Sequence, residues 1–312
     1  MRLISALLLC VFALRVQAET ATTPTYDKER IPFWSMVTEI PHTTVATVEN
    51  AFTMDTLPGW ATILGTTAVL YHYDPDLYQG IQNDGRRWNI GSDDDSKTLI
   101  KCCGIDIFRA PSDTGATLYF LGDGWVHAGA GIIFLADGYF TENVRPWNTG
   151  IEILHGLGVA TIFDQTLKRA FGRQSPGVAT ADRGEFRPFP SIPSYQRNTS
   201  SYDAMPSGHI MTATLAFTVV DSNYPEYLPY LYPLEGVWLA ALGFEMVNNG
   251  VHWASDYPLG IGIGYFVGKM SLHMNERPKK DADGNVTPKK NEWVFFPSPG
   301  PDGPMMNAML NF

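Results

Sequence analysis

The chain has 312 residues, of which 45% are apolar, 12% aromatic and 17% charged. That composition excludes wholesale disorder and supplies enough apolar surface for one large domain or two small ones. The 22 Lys and Arg set against 32 Asp and Glu leave a net charge of −10. Broad nucleic-acid binding needs a basic footprint and is therefore excluded, whereas one small anion in a local basic pocket is not.

At the N-terminus, Arg2 precedes an apolar run over 3–14 and the small-residue site Val16-Gln17-Ala18. This reads as a secretory signal peptide, residues 1–18, because the run is too short to span ~30 Å of hydrocarbon. It predicts a periplasmic or secreted location after cleavage. Cys102 and Cys103 are then the only cysteines left, and adjacent cysteines close only a strained ring. A disulfide framework is excluded.

Residues 19–115 read as an N-terminal extension of helices and loops. Its first part, to residue 56, is polar and rich in Pro and Thr, and Asn83-Asp84-Gly85 and Gly91-Ser92-Asp93-Asp94-Asp95 are turn signals. From Ala116 the pattern changes. Apolar stretches of helical length occupy 116–140, 150–172, 208–221, 229–248 and 256–273, separated by Pro, Gly, Asn and Asp. This predicts an all-α helical core over 116–273. The polar loop 174–206, with five prolines, is long enough to suggest function. Residues 274–312 read as a C-terminal surface tail, although Ala308, Leu310 and Phe312 alternate as a single strand would.

The best candidate span, 259–272, carries four glycines and a lysine, so the helices read as those of a soluble bundle with at most peripheral membrane contact. Gly260, Gly262, Gly264 and Gly268 have the wrong spacing for a dinucleotide fingerprint and suit close helix packing instead.

Three places carry chemistry. Pro206-Ser207-Gly208-His209 ends the long loop and opens an apolar helix, where free N–H groups and the helix dipole favour an anion and His209 can donate a proton. An ordinary capped helix with a surface histidine gives the same residues. His252-Trp253-Ala254-Ser255-Asp256 spaces His and Asp at i, i+4, so on a helix Asp256 can hold the imidazole in one tautomer and leave the other nitrogen nucleophilic. Lys168, late in its helix with Arg169 and Arg173 nearby, can reach an anion, neutralise a helix C-terminus, or pair with Asp164 one turn earlier.

Taken in order, these places resemble the type 2 phosphatidic acid phosphatase and vanadium haloperoxidase superfamily, whose motifs are Lys-x6-Arg-Pro, Pro-Ser-Gly-His and Ser-Arg-x5-His-x3-Asp. Lys168 and Pro176 match the ends of the first, Pro206 to His209 the whole of the second, and His252 and Asp256 the end of the third. Gly172-Arg173 also stands where relatives often have Gly-Arg. The resemblance covers roughly 116–273. It departs at Ser175, which replaces the first-motif arginine, and at Glu245 and Met246, which replace the third-motif serine and arginine. In the family both arginines hold phosphate or vanadate.

The resemblance implies a soluble helical bundle of the acid phosphatase and haloperoxidase type, acting on a small phosphomonoester or a lipid phosphate or diphosphate. It implies no metal and no other cofactor. His252 would attack phosphorus with Asp256 orienting it. Lys168 and the Ser207 and Gly208 backbone would hold the oxyanions, with Arg173 as a substitute cation, and His209 would protonate the leaving alcohol. Arg183, Arg187 and Arg197 in the loop are further substitutes. A relative that binds phosphate or a lipid headgroup without turnover is the second expectation, and a vanadate-dependent haloperoxidase the third. His42, His72, His127, His155 and His273 are expected to be structural or solvated, with His127 and His155 hydrogen-bonded in the core.

Overall fold

The computed structural model describes residues 26, 28–91, 96–102, 105–111, 114–275, 292–300 and 303–311. The expected signal peptide, residues 1–18, and Cys103 lie outside them. Most of the described chain is helical, in the order α1 (Ile40–Ala51), α2 (Leu57–Arg87), α3 (Thr114–Phe120), α4 (Gly124–Phe140), α5 (Val144–Phe171), α6 (Ile192–Arg197), α7 (Gly208–Asn223), α8 (Leu228–Asn248) and α9 (Tyr257–Ser271).

The all-α expectation needs correction at two antiparallel hairpins. Strands β1 (Ser96–Cys102) and β2 (Ile105–Pro111) pair inside the N-terminal extension. Strands β3 (Glu292–Gly300) and β4 (Gly303–Asn311) pair where a surface tail was expected, with Trp293 opposite Leu310 and Phe295 opposite Ala308. Of the alternating residues at the chain end, Ala308 and Leu310 belong to this second hairpin, and Phe312 lies outside the described residues.

Helix α7 lies at the centre. It is apolar on most of its circumference, as a helix buried on several sides must be. Met211, Leu215 and Val219 meet Ile153, Leu157 and Ala160 of α5 and Val267 of α9. Its other side, Ile210 and Ala213, meets Leu239, Leu242 and Met246 of α8 and Tyr257 of α9. The glycines of α9 make this contact possible: an added Cβ at Gly260 would lie 2.7 Å from the Ser207 carbonyl, and one at Gly264 would collide with the Met211 carbonyl.

The expected helix over 116–140 is broken, because Gly122-Asp123-Gly124 interrupts it and Asp123 caps α4 by accepting from the Trp125 N–H. The two parts are bent by 60°. Helix α5 starts earlier than expected, at Val144, where the Asn143 side chain accepts from Arg145 N–H. It ends on Gly172, whose φ of 57° is the left-handed helix stop that glycine adopts most easily. Conversely, Asn83-Asp84-Gly85 is no turn. It continues α2, where Gly85 gives the Asn248 side chain room to approach.

Pro75 inside α2 has a further effect. Proline has no N–H, so the Tyr71 carbonyl one turn earlier is free of its helical donor. Arg183 of the long loop takes it, with Nε 2.9 Å from the Tyr71 oxygen and a terminal nitrogen 3.0 Å from that of His72. This docks α2 against the loop and brings Asp74 inward.

Among the described residues no single helix is long and apolar enough to cross a membrane, although α3 and α4 taken together pass that test. Trp125, Ile133 and Phe140 on α4 and Tyr230 and Val237 on α8 are exposed, so the expected solubility finds no support in this surface.

Candidate active site

The long loop folds back as a plate over the C-terminal end of α5. Arg187 N–H donates to the Gly172 carbonyl, Phe189 N–H to Arg169, and Ala204 N–H to Arg173. The plate carries the chain into the cap of α7 and fixes Ala204 beside His252.

His252 is buried, and its Nδ1 lies 2.6 Å from the Ala204 carbonyl oxygen. A carbonyl only accepts, so the proton sits on Nδ1 and Nε2 keeps its lone pair. The expected orienting group was Asp256, but its Oδ2 is 3.9 Å from Nδ1, beyond hydrogen-bonding distance. The reason is local geometry. His252 precedes the 3-10 turn Ala254–Asp256 instead of sharing a helical face with Asp256. Asp256 turns to Arg173, at 2.6 Å, and to the Trp253 N–H, at 2.7 Å.

Arg173, expected at the phosphate, is wholly buried and fully engaged. One terminal nitrogen donates to Ser255 Oγ at 2.7 Å and Asp256 Oδ1 at 2.6 Å. The other donates to Asp74 Oδ2 at 2.8 Å and, with Nε, to the Arg183 carbonyl. All five N–H groups of the guanidinium are thereby used. The loop arginines offer no substitute: Arg183 is bound to α2, Arg187 pairs with Glu185 at 2.8 Å, and Arg197 is exposed. Asp256 nevertheless has its pKa pushed up to about 7, because burial outweighs the help of Arg173.

His209 stands in the first turn of α7, its ring centroid 5.7 Å from that of His252 and 4.7 Å from that of Tyr119. Burial, then the Lys168 charge and His127, pushes its pKa down to about 3, and burial, Lys168 and His209 push that of His252 well below the ordinary value. Both rings are neutral at pH 7. Ser207 caps the helix, its Oγ 3.4 Å from the Ile210 nitrogen, and its own N–H already serves the Asp256 carbonyl. The N–H groups left for an anion at this terminus are those of Gly208 and His209.

Lys168 is buried, with Nζ 3.6 Å from Asp164, so the expected pairing one turn apart is present. Burial works against its charge, but Asp164 and Asp203 outweigh burial and raise its pKa. Asp164 also lies against Gly208: a Cβ there would be 3.1 Å from its Oδ1, a buried oxygen without a hydrogen-bond partner. Ser175, in the place of the first-motif arginine, bonds to Asp203. Met246, in the place of the third, is a fully buried core residue.

The structure thus brings Lys168, Ser207, Gly208, His209 and His252 together and draws Arg173 and Asp256 into a neighbouring ion cluster. Sequence reasoning missed Asp74, Asp203 and the Ala204 carbonyl. The one available signal was Asp74-Pro75 within a helical pattern. The expectation of hydrogen-bonded core histidines holds for His155, bound to the Met36 carbonyl and Thr43 Oγ1. His127 is likewise buried, with the Asp123 carbonyl one turn earlier as the acceptor beside its ring. Among the described residues no three His, Cys, Asp or Glu side chains group as metal ligands.

Residues 149–280 match the family model of the PAP2 superfamily, which bears out the resemblance carried by the three motifs. Among solved structures the chain is similar to the first transmembrane PAP2 type phosphatidylglycerolphosphate phosphatase from Bacillus subtilis, at 16% identity over 79% of this chain and 98% of that one, with a TM-score of 0.42. No curated protein matches.

Proposed function

From the premise that residues 149–280 are PAP2-superfamily sequence, we propose that the protein is a phosphatase acting through a phosphohistidine. One observation carries the mechanism: His252 holds its proton on Nδ1 against Ala204, which leaves Nε2 as the nucleophile beside a second neutral histidine. Nε2 attacks phosphorus, the bond from phosphorus to the leaving oxygen breaks, and His209 gives that oxygen a proton. A bound phosphoryl group supplies the negative charge that favours a proton on His209, since an adjacent anion raises an imidazole pKa. Water then attacks the phosphohistidine, with His209 taking its proton. Lys168 and the Gly208 and His209 N–H groups stabilise the charge that develops on the phosphoryl oxygens.

The reaction needs no metal, and its substrate is a phosphomonoester or a lipid phosphate or diphosphate. With residues 1–18 as a secretory leader, it would take place outside the cytoplasm. A second reading, binding without turnover, is favoured by Ser175 and Met246 and by the engagement of Arg173, which together leave Lys168 as the cation at the phosphate.

The test is phosphate release by the purified chain without added metal, from a small monoester, phosphatidic acid and a prenyl diphosphate. Loss of at least ~1000-fold in His252→Ala and a large loss in His209→Ala are expected. Release that persists in His252→Ala sinks the mechanism. A wild type that binds phosphate or vanadate and releases nothing establishes the second reading.

A further inference from the structure

The two histidines of the candidate site are held in different ways. The Ala204 carbonyl, 2.6 Å from Nδ1, fixes the tautomer and the ring plane of His252. Among the described residues no hydrogen bond reaches the ring of His209. Its neighbours are rings instead. The Tyr119 centroid lies 4.7 Å from that of His209 at an interplanar angle of 64°, and the His252 centroid lies 5.7 Å away at 70°. Edge-to-face pairs at such distances attract, so an imidazole without a hydrogen bond takes its orientation from them.

Tyr119 is itself well fixed. It lies in the last turn of α3 and packs against Ile210, Leu242 and Met246. The corner that follows is fastened to both neighbouring helices. Trp238 Nε1 of α8 donates to the Leu121 carbonyl at 3.0 Å, and Thr212 Oγ1 of α7 donates to the Gly122 carbonyl at 3.1 Å. Gly122 lets the corner close on the site, since a Cβ there would lie 2.8 Å from that of His209. All of α3 precedes the 149–280 match, so none of the three motifs includes this residue.

We propose that Tyr119 is a positioning residue for His209, and that its ring, not its hydroxyl, holds the imidazole at the angle from which it protonates the leaving oxygen. The inference rests on the phosphatase reading of this site. It concerns the step in which the bond from phosphorus to the leaving oxygen breaks and the His209 proton moves to that oxygen. A leaving alkoxide needs that proton, whereas a nitrophenolate is a weak base and departs without it. Loss of the Tyr119 ring should therefore change how the enzyme discriminates between leaving groups.

The experiment compares kcat/KM for a short-chain phosphatidic acid, whose leaving group is an alkoxide, with that for p-nitrophenyl phosphate. This parameter reports the steps up to the phosphohistidine and leaves out its hydrolysis. The chains are wild type, Tyr119→Phe, Tyr119→Leu and His209→Ala, with Tyr119→Met in place of Tyr119→Leu if the latter fails to fold. Tyr119→Leu should lose at least ~10-fold on the phosphatidic acid and under ~3-fold on p-nitrophenyl phosphate, while Tyr119→Phe stays within ~3-fold of wild type on both. His209→Ala should show the same bias, more strongly. A residue serving only the fold would lower both substrates alike, and that result overturns the proposal. Tyr119→Phe as impaired as Tyr119→Leu also overturns it, because the hydroxyl would then carry the effect. Absence of the bias in His209→Ala overturns the role of His209 as the acid. A wild type that releases phosphate from neither substrate overturns the phosphatase reading, and this inference falls with it in both cases.

Discussion

Around Arg173 every donor meets an acceptor: Asp74, Ser255, Asp256 and the Arg183 carbonyl use all five N–H groups, and the Tyr71, Phe186 and Trp253 rings pack about the guanidinium. Around His209 the opposite holds. Asp164 keeps a buried oxygen unbonded, and Lys168 meets its carboxylate only at 3.6 Å. The two clusters meet at Ser207, whose N–H bonds to the Asp256 carbonyl. Completed bonding marks the cluster that holds the loop, α2 and the 3-10 turn together. Incomplete bonding marks the one proposed to receive the phosphoryl group.

The largest expected effect comes from breaking the completed cluster. Arg173→Met leaves Asp74 and Asp256 buried without their cation, at a cost of about 3–5 kcal/mol, since one partner of a buried pair is removed and the others stay. Urea unfolding measures it, and a loss below about 1 kcal/mol would contradict the structural role assigned here. Arg173→Lys should recover little, because an ammonium cannot reproduce the fork.

Glu152 offers an intermediate case. It is buried on α5 and bonded to Asn223 at 2.5 Å and Lys28 at 3.4 Å, yet burial pushes its pKa up to about 7. A carboxyl raised from 4.5 to about 7 on folding makes the native state hold a proton that the unfolded chain releases. Its contribution is therefore full below about pH 4.5 and lost as pH rises towards 7. Glu152→Gln keeps an acceptor for Asn223 and removes that slope, so the stability of the variant relative to wild type should climb between pH 4.5 and 7 and level off above. A difference that is flat across this window would rule out the raised pKa.

The smallest effect sharpens the comparison from the incomplete side. Asp164→Asn removes a carboxylate that competes with an anion for Lys168, and orthovanadate affinity should rise roughly fivefold, for about 1 kcal/mol. Weaker binding in this variant would mean that Asp164 helps to hold the ligand.

The same contrast explains what could be read in advance. Apolar runs at 208–221, 229–248 and 256–273 announced α7, α8 and α9 within two residues, because burial of a helix writes its period into the chain. The motif histidines and Lys168 were legible through their fixed local spacing. Asp74 was not, since its partner is 99 residues away and a lone acid on a helix normally faces solvent. The role given to Asp256 failed for a related reason: the i, i+4 rule presumes a helix, and His252 lies outside one. The turn signal at Asn83-Asp84-Gly85 lost to a close approach by Asn248, a long-range demand that no local propensity carries. His127 and His155 look alike in sequence, and only the neighbours that folding supplies distinguish them.

Pro75 turns a helix defect into a socket for Arg183, and Asp74 beside it completes the charge of Arg173. The portion of the chain that matches the family model, 149–280, is consequently not a portion that can be lifted out. The family match and the fold have different borders on this molecule. A boundary placed at the edge of the match severs an ion pair, strands a guanidinium in the interior, and removes the wall against which the loop sets Ala204. Anyone trimming, fusing or transplanting this domain should begin upstream of α2.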